Sequence, residues 1–580
     1  MSIPRQRILA LSLLLASLLA AGCDKAKVAT EAKASFPPQV TQLLRETVEV
    51  KAIPVALKEQ KELQKAWGEM QGFYAKRGFQ PVWSNAKGPR PQAEELIQAI
   101  PPLGQDGLDI RRYQPARLAA LLKDVKETKG FDDPQAQRRL VDLDLELTYT
   151  YLSLAAHLAS GRLQPEKLRV EWYTKPRNVD LDAKLGQALE ADTSGEIVKI
   201  LRSLTPPYPD YQRLPKALAE YRAIAARGGW PEVPDGPTLK ARDRGVRVAA
   251  LRARLAVTGD LPAAPAPATV PAGNTAGNAP ASSPPPSVDV FNEAVTAAVS
   301  RFQRRHGLKV TGTVGKETLA ELNVPAQERV RQLQGNMERW RWLPATLGDR
   351  YILVNVPEFR LDVVEAGKPV YSMRVVVGKD QSRTPAFSDK MTFIELNPTW
   401  TLPDSITQKE ILPKLASDPN YLANHDMEVV STSPYRLRQR AGKDNPLGQI
   451  KFMFPNEFDI YLHDTPADHL FDRAERDFSH GCIRLEKPIE LAALLLKGDP
   501  KWTQESIQAA IASGEHETIT LPRPLPVHIL YWTAWVEPDG MVAFRKDIYG
   551  HDDTLEQALA KEPPVWIDLN AMRGDVRAAK

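Results

Sequence analysis

The chain has 580 residues, enough to bury several hydrophobic cores, and ordinary domain sizes predict about three or four domains. Its 76 Lys plus Arg stand against 72 Asp plus Glu, a formal charge of +4. That balance is too even for a general nucleic-acid binder, so an anionic ligand would need only a local basic patch.

Arg5 and Arg7 precede an apolar run from Ile8 to Ala21 that ends in Ala20-Ala21-Gly22-Cys23. The run is shorter than the roughly 20 residues of a membrane-spanning helix and closes on small residues, so residues 1–22 read as a secretory signal peptide. The junction resembles a bacterial lipobox, with Ala20 where Leu is common and Leu19 one step earlier. This implies cleavage before Cys23, its diacylation and a membrane anchor, with the choice between inner and outer membrane open. Cys482, the other of the two cysteines, then has no intramolecular partner. An unpaired thiol in an oxidising compartment is a liability unless it is buried or used.

Residues 23–45 read as a polar tether, and from there to about 235 the pattern is mostly helical. Leu140 to Leu158 and the segment around Ala217-Leu218-Ala219-Glu220-Tyr221 carry it. The aromatic stretch Phe73 to Trp83 is expected to be core packing. Val246 to Leu255 predicts a helix, Ala294 to His306 a second, and Lys316 to Asn323 a third after the turn at Gly307-Leu308 and Gly312 to Gly315. Pro262 to about Val288 is rich in Pro, Ala and Ser and lacks apolar periodicity, so it is expected to be a disordered loop inside this module. A boundary placed there would leave one helix without its bundle.

Glu328 to Trp342 is an amphipathic helix with Val330, Leu333, Met337 and Trp340 at helical spacing. The texture then changes to strand patterns at Tyr351–Val356, Phe359–Val364 and Tyr371–Gly378. Residues 405–441, with Ile411-Leu412-Pro413-Lys414 and Tyr421-Leu422, read as a helical insertion that caps a site. Lys451 to Phe454 resumes the strands, Pro488 to Lys497 predicts a helix, and Val527 to Val536 a late strand followed by a turn at Asp539-Gly540.

The chemistry-bearing stretch is Ser479-His480-Gly481-Cys482, with His463 upstream in Ile460-Tyr461-Leu462-His463-Asp464. A thiol attacks as thiolate, and a nearby imidazole can take its proton and raise the thiolate fraction at neutral pH. Gly481 lets substrate approach the backbone and lets local N–H groups turn toward an oxyanion. On extended chain His480, two residues before Cys482, could share its face, so spacing leaves two candidate bases. A lone Cys and His are more often a buried small hydrophobe and a satisfied histidine. The export signal and the length of the motif reverse that preference.

His463, fifteen intervening residues and Ser479-His480-Gly481-Cys482-Ile483-Arg484 resemble the signature of YkuD-type L,D-transpeptidases, cysteine enzymes that cross-link bacterial peptidoglycan. Arg484 stands where Asn is common, as in the large multidomain periplasmic branch. Phe73 to Trp83, Asp106-Gly107-Leu108, Asn397 to Pro403 and Asp547 to Gly550 resemble that branch too. Phe302-Gln303, Gly307-Leu308 and Gly315-Lys316-Glu317-Thr318 resemble a three-helix peptidoglycan-binding-like domain. The resemblance implies a multidomain α+β chain. It comprises a helical scaffold at 46–235, the binding-like domain at 236–325, a returning helix at 326–348, a β-rich catalytic domain at 349–560 and a tail at 561–580.

The resemblance further implies Cys482 as nucleophile and His463 as general base, with His480, Gly481 and Ser479 shaping the site and its oxyanion hole. Trp400 and Tyr461 are donor-site candidates, equally readable as aromatic packing. Arg484 either binds a stem carboxylate or braces the loop through backbone carbonyls, with bracing favoured. Tetrapeptide stems would be donor and acceptor, giving 3→3 cross-links and D-alanine, with no metal, nucleotide or nucleic acid required. The setting is the periplasm of a Gram-negative bacterium, with cell-wall synthases as possible partners and carbapenems as acylating inhibitors.

Within that reading a carboxypeptidase or a lipoprotein-attaching enzyme competes. From other classes come a noncatalytic wall-binding lipoprotein and a zinc amidase using His463, Asp464, His469 and Asp472, whose spacing lacks a tight metal pattern.

Overall fold

The computed structural model describes residues 36–49, 61–191, 194–262, 289–561, 565 and 569. The signal peptide, Cys23, most of the tether, the Pro-rich insertion after residue 262 and nearly all of the tail lie outside the described residues. Among the described residues, no helix is long and apolar enough to cross a membrane.

Buried apolar side chains of the described residues form four clusters. One fills the N-terminal helices up to Leu204, one the small helical module, one the insertion over the site, and the largest fills the catalytic sheet. The first is built round the helix Pro134–Ser160, capped by Asp133 through the Ala136 N–H at 2.9 Å and ended by Gly161. Most of its faces are buried, as expected of a central helix. Its buried Asp144 accepts hydrogen bonds from Tyr74 Oη at 2.6 Å, Val82 N at 2.9 Å and Trp83 N at 2.8 Å. The Phe73 to Trp83 stretch is therefore tied into the core by a carboxylate that the sequence pattern hides.

The expected scaffold span 46–235 does not share one core. Leu163, Val170, Trp172 and the helix Pro209–Ala226 pack with the catalytic sheet instead, alongside the helix Ala326–Arg341. Trp340 of that last helix stacks on Trp532 with centroids 4.1 Å apart, and its buried Glu338 accepts the Leu163 N–H at 2.8 Å.

In the module, Val248, Leu251 and Leu255 share one core with Phe291, Val295 and Phe302, so helix Val246–Val257 packs with Glu293–Arg305 and Lys316–Leu322 although more than thirty residues of sequence separate the first helix from the second. Gln303 fixes the turn that follows, donating to Thr313 O at 2.8 Å and accepting from Thr311 N and Gly312 N at 2.9 Å.

The catalytic sheet has nine strands: β1 Arg350–Asn355, β2 Arg360–Glu365, β3 Lys368–Gly378, β4 Phe387–Leu396, β5 Ile450–Met453, β6 Leu462–His463, β7 Asp477–Ser479, β8 Ile483–Leu485 and β9 Glu517–Leu530. Their order is β7-β3-β8-β6-β5-β4-β9-β1-β2, and β2 also pairs with β3. That last pairing closes eight strands into a ring and removes the open edges, with β7 attached alongside β3. The late strand differs from expectation. It runs from Glu517 and stops at Leu530, because Trp532 N and Thr533 N donate instead to the side chains of Asn355 and Asn336, both at 2.9 Å.

The capping insertion also differs, being only half helical. Short helical turns reach Asn424, but Met427–Thr432 and Tyr435–Gln439 form an antiparallel hairpin to which Trp400–Thr401 adds a third strand. Val429, Val430 and Thr432 favour extended chain, and Ser433-Pro434 supplies the turn. Leu402, Ile406, Ile411 and Leu437 give this insertion its own small core.

Candidate functional site

Strand pairing places the site. Leu462 lies opposite Ile483 and His463 opposite Arg484 in the parallel β6–β8 pair, while Lys451 of β5 lies opposite His463 on the other side. Leu462 and Ile483 are fully buried in the sheet's core. Alternation then sends Tyr461, His463, Cys482 and Arg484 to the opposite face, with Lys451 in the same cross-strand row. All five line a cavity of about 1130 Å³, together with Trp400, Ser479, His480 and residues of the cap. A larger cavity of about 2290 Å³, where scaffold, small module and catalytic domain meet, contains neither Cys482 nor His463.

The loop carrying the thiol is held at each residue. Ser479 is buried; its Oγ donates to Cys482 O at 2.5 Å and accepts the Gly481 N–H at 3.1 Å. Thr384 Oγ1 donates to Gly481 O at 2.7 Å and accepts from Gly378 N at 2.9 Å. Tyr549 Oη donates to Gly378 O at 2.5 Å and accepts from Thr384 N at 3.2 Å. Gly481 has φ +116°, and a Cβ there would sit 3.2 Å from Ile460 Cδ1, so a side chain would be both strained and crowded. Thr384 carried no signal in the sequence. Tyr549 lies in the Asp547 to Gly550 stretch that the family resemblance had marked.

His463 is 4 % exposed, and its Nδ1 lies 2.5 Å from Asp464 O. A carbonyl only accepts, so Nδ1 carries the hydrogen and Nε2 keeps its lone pair, the form a general base needs. Burial, then the Arg484 charge and more weakly Lys451, push its pKa down to about 3 against the carbonyls of Asp464 and Leu447. His480, the other candidate base, is exposed; its Nε2 lies 2.8 Å from Glu410 Oε1 of the cap and 3.4 Å from Lys379 Nζ.

Cys482 is a half-buried free thiol whose Sγ lies 3.7 Å from Asp459 O. Burial pushes its pKa up, opposed by hydrogen bonds from Tyr461 and by the charges of Lys451 and Arg484. The resting pair is therefore neutral thiol and neutral imidazole. The expected help of a nearby imidazole in raising the thiolate fraction therefore works against burial of the thiol, which outweighs the nearby cations. Tyr461 packs 5.7 Å from the His463 ring and lies under Lys451 Nζ at 4.3 Å, with its own hydroxyl pKa raised by burial and then by Cys482.

Arg484 lines the cavity with its Nε buried and unpartnered, and no hydrogen bond from its side chain to a backbone carbonyl is seen among the described residues. The favoured bracing role thus finds no contact to act through. The four residues imagined as zinc ligands do not assemble either. His469 and Asp472 sit on the short helix Asp468–Asp472 and Asp472 faces Arg374, and among the described residues no three His, Cys, Asp or Glu side chains converge.

Residues 349–502 match the model of the "L,D-transpeptidase catalytic domain", residues 68–218 that of the "Scaffold domain", and residues 274–322 that of the "Putative peptidoglycan binding domain". A protein of Haemophilus influenzae named "Putative L,D-transpeptidase" is 34% identical over 246 residues, covering 39% of this chain and 49% of its own length. This chain thus spans about half of that relative. Among solved structures, an L,D-transpeptidase of Xylanimonas cellulosilytica is 16% identical, with 51% of this chain and 100% of that chain covered and a TM-score of 0.17. L,D-transpeptidase 1 of Mycobacterium tuberculosis is 13% identical, with 31% and 61% covered and a TM-score of 0.15. Residues 349–502, which hold Cys482 and His463, thus carry an L,D-transpeptidase catalytic domain, accompanied in this chain by matches to scaffold and peptidoglycan-binding domains.

Proposed function

We propose that the chain forms 3→3 cross-links between peptidoglycan stems through an acyl-enzyme on Cys482. The observation that carries this reading is the shared face of Cys482, Tyr461 and His463, with the His463 lone pair left on Nε2. The thiol gives its proton to His463 Nε2 as sulfur attacks the carbonyl between the third and fourth residues of a tetrapeptide stem. The imidazolium formed is disfavoured between two cations, so it readily protonates the departing D-alanine amine. His463 then deprotonates the diaminopimelate side-chain amine of a second stem, which attacks the thioester and releases Cys482.

The oxyanion needs N–H donors at the thiol loop. The Gly481 N–H is committed to Ser479, so the Cys482 N–H is the better assigned donor, with Ser479 and Gly481 fixing its direction. Arg484, whose Nε is unpartnered, is read as a ligand for a stem carboxylate. The cavity of about 1130 Å³ over Cys482 is large for a single small-molecule site. Export, lipidation at Cys23 and a periplasmic setting belong to the same reading and rest on the N-terminal sequence.

Incubating the mature chain with disaccharide-tetrapeptide and following products by mass spectrometry tests it, with a Cys482→Ala control. A Cys482-dependent dimer one D-alanine lighter than two monomers is expected. A shortened monomer alone would indicate a carboxypeptidase, and no reaction would move a wall-binding role ahead.

A further inference from the structure

Four aromatic rings run outward from the core of the catalytic sheet to the rim of the Cys482 cavity. Phe454 and Phe387 are 1 % and 3 % exposed with centroids 6.1 Å apart, Phe387 lies 4.9 Å from Phe458, and Phe458 lies 4.6 Å from Tyr173. Phe458 is half-buried and lines the cavity. Tyr173 is 49 % exposed, and it comes from the N-terminal region and not from the catalytic domain. It is the one aromatic residue among the large exposed apolar side chains of the described residues.

Both ends of this row are fixed. Tyr173 N donates to Ala386 O at 2.7 Å and Ala386 N to Glu171 O at 2.8 Å, which lays the N-terminal segment against the chain just before β4. Asn456 Nδ2 donates to Ile460 O at 2.7 Å and its Oδ1 accepts from Phe458 N at 3.0 Å, which locks the loop that carries Phe458. The next residue, Asp459, offers the carbonyl 3.7 Å from Cys482 Sγ. The row is therefore continuous with the site and preformed, and its outermost residue, Tyr173, is about half exposed.

We infer that Tyr173 and Phe458 form a sugar subsite, an aromatic platform for a pyranose ring of the donor strand. This rests on the reading of the substrate given above. The attacked carbonyl would sit at Cys482, and the three stem residues that join it to the sugar span roughly 10 Å when extended. A stem laid from the sulfur along Asp459, whose carbonyl is 3.7 Å from Cys482 Sγ, and then Phe458 would run toward Tyr173, whose ring is 4.6 Å from that of Phe458. A pyranose presents a face of polarised C–H bonds, which an aromatic π-face attracts. The N-terminal region thereby contributes a residue to substrate selection and does more than support the catalytic sheet.

The test uses the full chain silenced by Cys482→Ala, and compares calorimetric affinity for disaccharide-tetrapeptide with that for the same tetrapeptide without sugars. The disaccharide form is expected to bind about 3- to 10-fold tighter, the range of one good aromatic stack. Tyr173→Ala should bring that ratio to about 1, and Tyr173→Phe should keep it, since the ring and not the hydroxyl makes the contact. Equal affinities in the parent, or an undiminished ratio in Tyr173→Ala, overturn the platform. A Tyr173 that only anchors the N-terminal segment would weaken both ligands alike and also overturn it. Equal affinities in the parent, with the stem still bound, remove the subsite and leave the stem-binding reading standing, whereas failure of the parent to bind either ligand removes both.

Discussion

At Cys482 burial and charge oppose one another, and burial wins in the resting state. The alkylation rate by iodoacetamide is therefore expected to rise with pH toward a midpoint above that of an ordinary thiol. Lys451→Met should move that midpoint higher still, because it removes a cation that favours thiolate. His463 has the opposite displacement, down to about 3. It stays unprotonated through mildly acid pH, so kcat/KM should show no fall centred at 6.5, and such a fall would mean that another histidine is the base. Ser479→Ala removes both the acceptor for Gly481 N and the donor to Cys482 O. One such lost contact at a fixed loop is expected to cost about 10-fold in kcat, with alkylation of Cys482 retained.

Among the elements, the central helix Pro134–Ser160 buries His157, whose Nδ1 lies 2.7 Å from Tyr113 Oη. Burial pushes its pKa down to about 3. Between that value and the ordinary 6.5 the unfolded chain binds the extra proton, so this histidine's contribution is fully present above 6.5 and is lost as pH falls toward 3. His157→Gln should cost about 1–3 kcal/mol at pH 7.5 by thermal unfolding, and the gap to the parent should narrow at pH 4.5. The cap behaves as a separate element with its own four-residue core, joined to the thiol loop through Glu410 and His480. Glu410→Ala is expected to speed proteolysis within 404–441 while changing global stability by no more than about 1 kcal/mol, as befits a partly exposed pair.

Over the whole molecule, the small module is tied to the catalytic domain by Arg305, which pairs with the buried Asp260 and donates to Val542 O at 2.8 Å. Arg305→Met would leave Asp260 buried without its guanidinium, a loss of about 3–5 kcal/mol that calorimetry would show as a lowered Tm. Much of this architecture is legible along the chain. Apolar spacing marks the helices at Val246 and Glu293, β-branched runs mark β1 to β3, and the spacing of His463 and Cys482 singles out the thiol, because local periodicity and short motifs are written in adjacent residues. The proposal of His463 as base, however, rests on strand register, since pairing His463 with Arg484 sets it on the face that Cys482 shares while His480 meets Glu410 of the cap. Asp144, Thr384 and Tyr173 act through partners 62, 97 and 285 positions away. No periodicity encodes contacts at such separations. Sequence by itself determined which groups could do the chemistry. Tertiary packing decided their protonation, their partners and the division into cores, because desolvation and cross-strand register exist only once distant segments meet.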